Sequence, residues 1–147
     1  MGIKRYKADA DNTIVNAYQS NLSTRGTGSN SGQSDIMEVF SIYGRQTPSS
    51  SAASASQELS RILVKFPISD ISSDRSAGTL PASGSVSFYL RLHASKSSKT
   101  VPKDYKLVVQ AVSQSWEEGD GLDLENYKDL TKDGVGSNWM NASGSSS

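Results

Sequence analysis

Ser85-Val86-Ser87-Phe88-Tyr89-Leu90-Arg91-Leu92-His93-Ala94 sets Val86, Phe88, Leu90 and Leu92 on one side and Ser87, Tyr89, Arg91 and His93 on the other. A period of two is what a strand with one buried and one wetted face requires. The same alternation recurs over residues 61–68, where Ile62, Val64, Phe66 and Ile68 interleave with Leu63 and Lys65, and Pro67 marks an edge or the end of pairing. Residues 105–113 are apolar on both faces, Leu107, Val109 and Ala111 against Val108 and Val112, as befits a strand covered from both sides. Weaker strand patterns cover residues 13–18 and 36–43, with a short one near Tyr6. No segment sustains apolar spacing of three and four over 12 residues, so the periodicity predicts an all-β chain.

Between these stretches lie three polar connections expected at the surface: residues 21–34, rich in Gly, Ser and Asn, residues 47–57 and residues 72–83. The second holds the tract Ser49-Ser50-Ser51-Ala52-Ala53-Ser54-Ala55-Ser56, read as a loop inside one domain with a helix as the alternative. After Trp116 the pattern gives way to a turn-rich acidic segment and tail, residues 117–147, with one helical turn expected over 126–130. At 147 residues the chain has room for one ordinary domain, 1–147, with residues 1–12 as an N-terminal docking arm.

Composition narrows the function classes. Fifteen basic residues cancel 15 acidic ones, so bulk charge calls for neither nucleic acid nor an anionic membrane. Serine fills 29 positions, displacing both apolar bulk and charge. With no cysteine, disulfides, thiolate metal sites and a cysteine nucleophile are excluded. No apolar stretch follows the polar start and the longest apolar runs span only a few residues, so neither a secretory leader nor a membrane span is expected, and the chain is read as a soluble protein made and left in a cytosol, or assembled from it.

No set of residues makes a convincing catalytic site, and no cofactor is expected. The single His93 sits on the wet side of its strand with no Gly-x-Ser-x-Gly elbow anywhere. Gly26-Thr27-Gly28-Ser29-Asn30-Ser31-Gly32 lacks the spacing and the lysine of a phosphate loop and reads as a flexible loop. The acidic segment offers Asp120, Asp123 and Glu125 as calcium ligands, but its spacing does not follow the 12-residue calcium loop, and a solvated acidic loop is the plainer reading. Asp9, Asp11 and Asn12 are read as turn formers. Trp116 and Trp139 invite sugar stacking; the competing reading, that each plugs a β core, is favoured.

Several pieces in order resemble the DNRLRE family of β-sandwich domains, whose architecture looks like that of carbohydrate-binding modules. They are Ala10-Asp11-Asn12-Thr13-Ile14-Val15, Asp35-Ile36-Met37-Glu38-Val39, Ser60-Arg61-Ile62-Leu63-Val64-Lys65-Phe66-Pro67-Ile68, residues 86–92, residues 109–119 with a Val-x-x-Val-x-x-x-Trp-x-Glu-Gly pattern, and Asn138-Trp139-Met140-Asn141. The resemblance implies an antiparallel, jelly-roll-like β-sandwich. Relative to the family the final strands are missing, so the expected sandwich is incomplete at its C-terminus. Either the chain is the N-terminal part of a longer polypeptide, or a neighbour completes the open edge by strand addition.

The serine-rich, cysteine-free style also resembles virion proteins of large tailed bacteriophages that carry such domains. That implies a non-enzymatic structural subunit of a tail, neck, fibre or head surface, assembled in the host cytoplasm with other virion proteins or copies of itself. The alternative is a glycan-binding module or adhesin that uses Trp116 or Trp139. In the structural reading Lys4, Arg5, Tyr6 and Lys7 dock the arm, Arg61 braces the start of its strand, and Val64, Phe66, Phe88, Leu90, Leu92, Val109 and Trp116 form the core. A Phe88→Ala change is then expected to cost about 3 to 5 kcal/mol.

Overall fold

The computed structural model describes residues 2–19, 21, 23–45, 55–96, 104–122 and 135–144. Strands β1 (Ala10–Val15), β2 (Ser41–Arg45) and β3 (Ala55–Lys65) form a three-stranded antiparallel sheet in the order β1-β3-β2, and one helix, α1 (Ile68–Ser76), follows. The described residues are thus mostly strand among their regular elements, with a single short helix. They divide into two compact units, Met1–Phe66 with Gln114–Ser147, and Pro67–Ser113.

In the first unit β3 is long enough to serve two neighbours in succession. Its second half pairs with β1, from Ala10↔Lys65 to Val15↔Ser60, and its first half with β2, from Ser41↔Leu59 to Arg45↔Ala55. The two partners lie on opposite edges because successive backbone groups of a strand point to opposite sides. Asn16 N donates to the Leu59 carbonyl at 3.0 Å on the β1 side, whereas Ser60 N donates to the Phe40 carbonyl at 3.1 Å on the β2 side.

The sequence-based boundaries shift in informative ways. β1 begins earlier than residues 13–18, although pairing continues through a Tyr18↔Arg25 bridge. β2 takes only the end of residues 36–43, and no strand forms near Tyr6. β3 reclaims Ala55, Ser56 and Gln57 from the expected loop and stops at Lys65, two residues before Pro67. Residues 46–54, with most of the Ser/Ala tract, and the turn expected at 126–130 lie outside the described residues.

β1 is buried over four successive residues, with Val15 and Asn12 both at 0% exposure. Its interior is largely polar: Asn12, Thr13, Ser29, Asn30, Ser31, Ser60, Ser137 and Asn138 are buried, against Ile14, Val15, Ala17 and Tyr18. The flexible surface loop expected at residues 26–32 is therefore corrected. Ser29, Asn30 and Ser31 are interior, tied to β1 by an Ile14↔Asn30 bridge and by Ser31 N to the Thr13 carbonyl at 3.2 Å. Asn12, expected in a turn, lies within a strand.

In the second unit, α1 replaces the start of the loop expected over residues 72–83. Pro67 precedes it with φ preset for a helix, Asp70 lies in its first turn and Arg75 in its last, matching the helix dipole. Ala77 N and Gly78 N close the end onto Ser73 and Arg75 carbonyls, and Gly78 takes φ +74°. Apolar spacing missed this helix because it buries no residue and is mostly Ser and Asp.

The strands expected over residues 85–94 and 105–113 do not form. Residues 86–96 and 104–113 belong to no strand or helix. Phe88 is 63% exposed and Val109 73%, and Leu90 and Leu92 are exposed as well, so these four are not core residues in this structure. Alternation specifies which side chains share a face, but a strand forms only where a second strand accepts its backbone groups. Among the described residues none does so for either segment. Val64 and Phe66, also expected in the core, are half-buried.

Candidate functional site

Two sites emerge, a polar one in the first unit and an apolar one in the second. In the first, two asparagines use both ends of their amides. Asn12 Nδ2 donates to the carbonyl and hydroxyl oxygens of Ser137, each at 2.9 Å, and its Oδ1 accepts Ser31 N at 2.9 Å. Asn30 Nδ2 donates to the Val135 carbonyl at 2.8 Å, and its Oδ1 accepts Gly121 N at 3.0 Å and Gly32 N at 3.3 Å. A carboxamide is the right group here, since it offers donors and an acceptor without carrying a charge into the interior.

The backbone approaches so closely around these amides that side chains are excluded. A Cβ on Gly121 would overlap the Asn30 carbonyl oxygen, and one on Gly136, at φ +80°, would overlap Gly119 Cα. Asn138 completes the set, its Oδ1 accepting Met140 N and Asn141 N, both at 2.9 Å, in a tight turn. The network joins β1 to residues 117–121 and 135–142 and contains amides and hydroxyls, groups suited to holding backbone rather than to moving protons. Sequence reasoning missed it; the available signal was an Asn in a strand pattern, Asp11-Asn12-Thr13-Ile14-Val15.

At the rim of this network, Asp11 N donates to Glu118 Oε1 at 2.8 Å. Burial, and secondarily the nearby Glu118 carboxylate, push the Asp11 carboxyl above its ordinary value of 3.8. Asp120 lies next to Gly121, while Asp123 and Glu125 lie outside the described residues. Among the described residues no group of three or more His, Cys, Asp or Glu is arranged to hold a metal ion.

The two tryptophans are half-buried. Arg61, expected at the start of its strand, sits inside β3 opposite Ile14, with its guanidinium 4.5 Å from the Trp139 ring centroid. A cation–π contact thus fills a ring face on which a sugar would stack. Arg25 makes the same contact with Tyr18 at 4.1 Å and also donates to the Asn16 carbonyl. Of the N-terminal arm, Lys4, Arg5 and Lys7 are exposed and Tyr6 is half-buried, with Lys4 Nζ 5.9 Å from the Tyr6 centroid.

The apolar site is in the second unit. Phe88, Tyr89, Leu90, Leu92, Tyr105, Leu107, Val108, Val109 and Val112 are all exposed, Tyr89 to 88%. Large apolar side chains exposed in such number over two short segments are uncommon on a monomer's surface and mark segments suited to a partner. No helix among the described residues is long and apolar enough to cross a membrane. The chain matches no family model, no curated protein and no solved structure.

Proposed function

We propose that this chain is a non-enzymatic structural subunit that works by protein–protein assembly. The observation that carries the reading is a pair of apolar segments, residues 86–92, which alternate, and 105–112, apolar on both faces; all but the half-buried Val86 are exposed, and both lie outside every strand. Exposing this much apolar surface in water is unfavourable at about 25 cal/mol per Å², and a partner that pairs with the segments removes that cost while satisfying their backbone groups. The assembled form in this reading is a β-sandwich in which residues 86–92 and 105–112 become strands by pairing. The setting is the one the family resemblance implies, a tailed-bacteriophage virion assembled in the host cytoplasm.

Sedimentation velocity across a concentration series tests the proposal. The expected result is a reversible shift from monomer to a larger species, accompanied by a gain of strand signal in circular dichroism. A species that stays monomeric up to the highest soluble concentration, with unchanged strand content, overturns it.

A further inference from the structure

Deepening the assembly reading, on which it rests, we infer that the partner is a second copy of this chain, paired antiparallel through residues 86–92 about a twofold axis at Tyr89. The segment is symmetric in polarity about that residue: Phe88 and Leu90 flank it, then Ser87 and Arg91, then Val86 and Leu92. Directly opposed residues of an antiparallel pair share a face of the sheet. Centred on Tyr89, Phe88 meets Leu90 of the second copy, Val86 meets Leu92, and the cationic Arg91 meets the Ser87 hydroxyl. All four apolar residues then line one face, and no charge opposes its like.

Other registers lose part of this. Centring on Arg91 sets two guanidinium groups against each other, and centring on Phe88 sets Leu92 against Gly84. Centring on Leu90 trades the Val86–Leu92 contact for Val86 against the small Ala94. A centre between residues sets apolar against polar side chains throughout. Twofold pairing uses the same patch on both copies, the commonest closed arrangement of soluble oligomers. The formal net charge of zero leaves no long-range repulsion between the copies. The segment is also accessible, with Phe88 63% and Tyr89 88% exposed and only Val86 half-buried.

The chain contains no cysteine, so single-cysteine variants take one spin label each. Labels at Ser85, Ser87, Tyr89, Arg91 and His93 in the full chain read the register directly. The expected intermolecular distance is shortest for Tyr89→Cys and grows symmetrically on both sides. Labels on Ser87→Cys are displaced by four residue steps, about 14 Å along the strands. A charge pair supplies the second arm: Tyr89→Lys faces itself across the axis and raises the dimer Kd about tenfold or more, as does Tyr89→Glu, while an equimolar mixture of the two associates again. Because Tyr89 is exposed, both variants keep the monomer's melting curve. An oligomer whose shortest distance falls elsewhere, or which ignores the charge swap, overturns this inference and leaves the assembly reading standing. A chain that remains monomeric removes both.

Discussion

Truncating Asn12 to alanine tests whether a polar network, rather than apolar packing, holds the first unit together. The side chain is fully buried and makes two bonds to Ser137 and one from Ser31 N. Loss of the Ser137 bonds leaves a buried carbonyl without its amide donor, whereas Ser31 N keeps its 3.2 Å bond to the Thr13 carbonyl, so the damage there is partial. Two lost bonds at about 1 kcal/mol each and one orphaned carbonyl at about 1 to 3 kcal/mol put the cost at about 3 to 5 kcal/mol. Against a total stability of about 5 to 15 kcal/mol that is a large fraction, equivalent to a fall of roughly 10 °C in Tm for a chain of this length. Urea denaturation followed by circular dichroism and tryptophan fluorescence measures it. Asn12→Asp keeps the acceptor for Ser31 but turns the donor into a second acceptor facing the Ser137 carbonyl. It should be at least as damaging at neutral pH and partly recover in acid, where the carboxyl regains a proton to donate. A cost below about 1 kcal/mol for Asn12→Ala refutes the reasoning, because the network would then not be what joins β1 to Ser137.

Three further outcomes follow from the same geometry. Asp11 holds its proton more tightly when folded than its ordinary value of 3.8 implies, so the stability linked to that proton is present below that value and is lost as pH rises through the raised folded value. Asp11→Asn should therefore raise Tm at neutral pH, with the gain disappearing in acid; a gain that does not vary with pH contradicts the burial and Glu118 effects. Gly136→Ala combines φ +80° with overlap on Gly119 Cα and should cost more than about 2 kcal/mol in a thermal melt, and a neutral result means that the backbone there does not approach so closely. Phe88→Ala, expected from alternation to cost about 3 to 5 kcal/mol, should leave Tm unchanged in dilute, monomeric solution because the ring is 63% exposed, and a large fall would place it in an intrachain core.

The strand pattern over residues 61–68 was legible because period two is a local property, and β3 covers its first five residues. The apolar centre of β1, Ile14 and Val15, was legible for the same reason. The helix α1 was not, since Ile68 and Ile71 are its only large apolar residues and its remaining positions read as turn formers. Nor were Asn12 and Asn30, whose Asn12–Ser137 and Asn30–Val135 bonds span more than 100 residues of sequence. An amide that closes a turn and an amide that seals an interior are the same residue until their partners are known. The acidic cluster, similarly, contains carboxylates in sequence, but it is burial, and secondarily the approach of Glu118 across the unit, that raises the Asp11 carboxyl.

Sequence alone determined the β-rich character of this chain, its neutral charge, its lack of thiol chemistry and the side chains that share a face along each alternating run. These depend on composition and on neighbours one or two residues apart. Tertiary structure decided which runs become strands, because a strand's backbone groups need partners that lie far away in sequence. It gave β3 two partners on opposite edges and left residues 86–92 with none among the described residues. It also turned a loop of Ser, Asn and Gly into the interior that holds β1, where amides rather than apolar side chains meet the hydrogen-bonding demand of buried backbone.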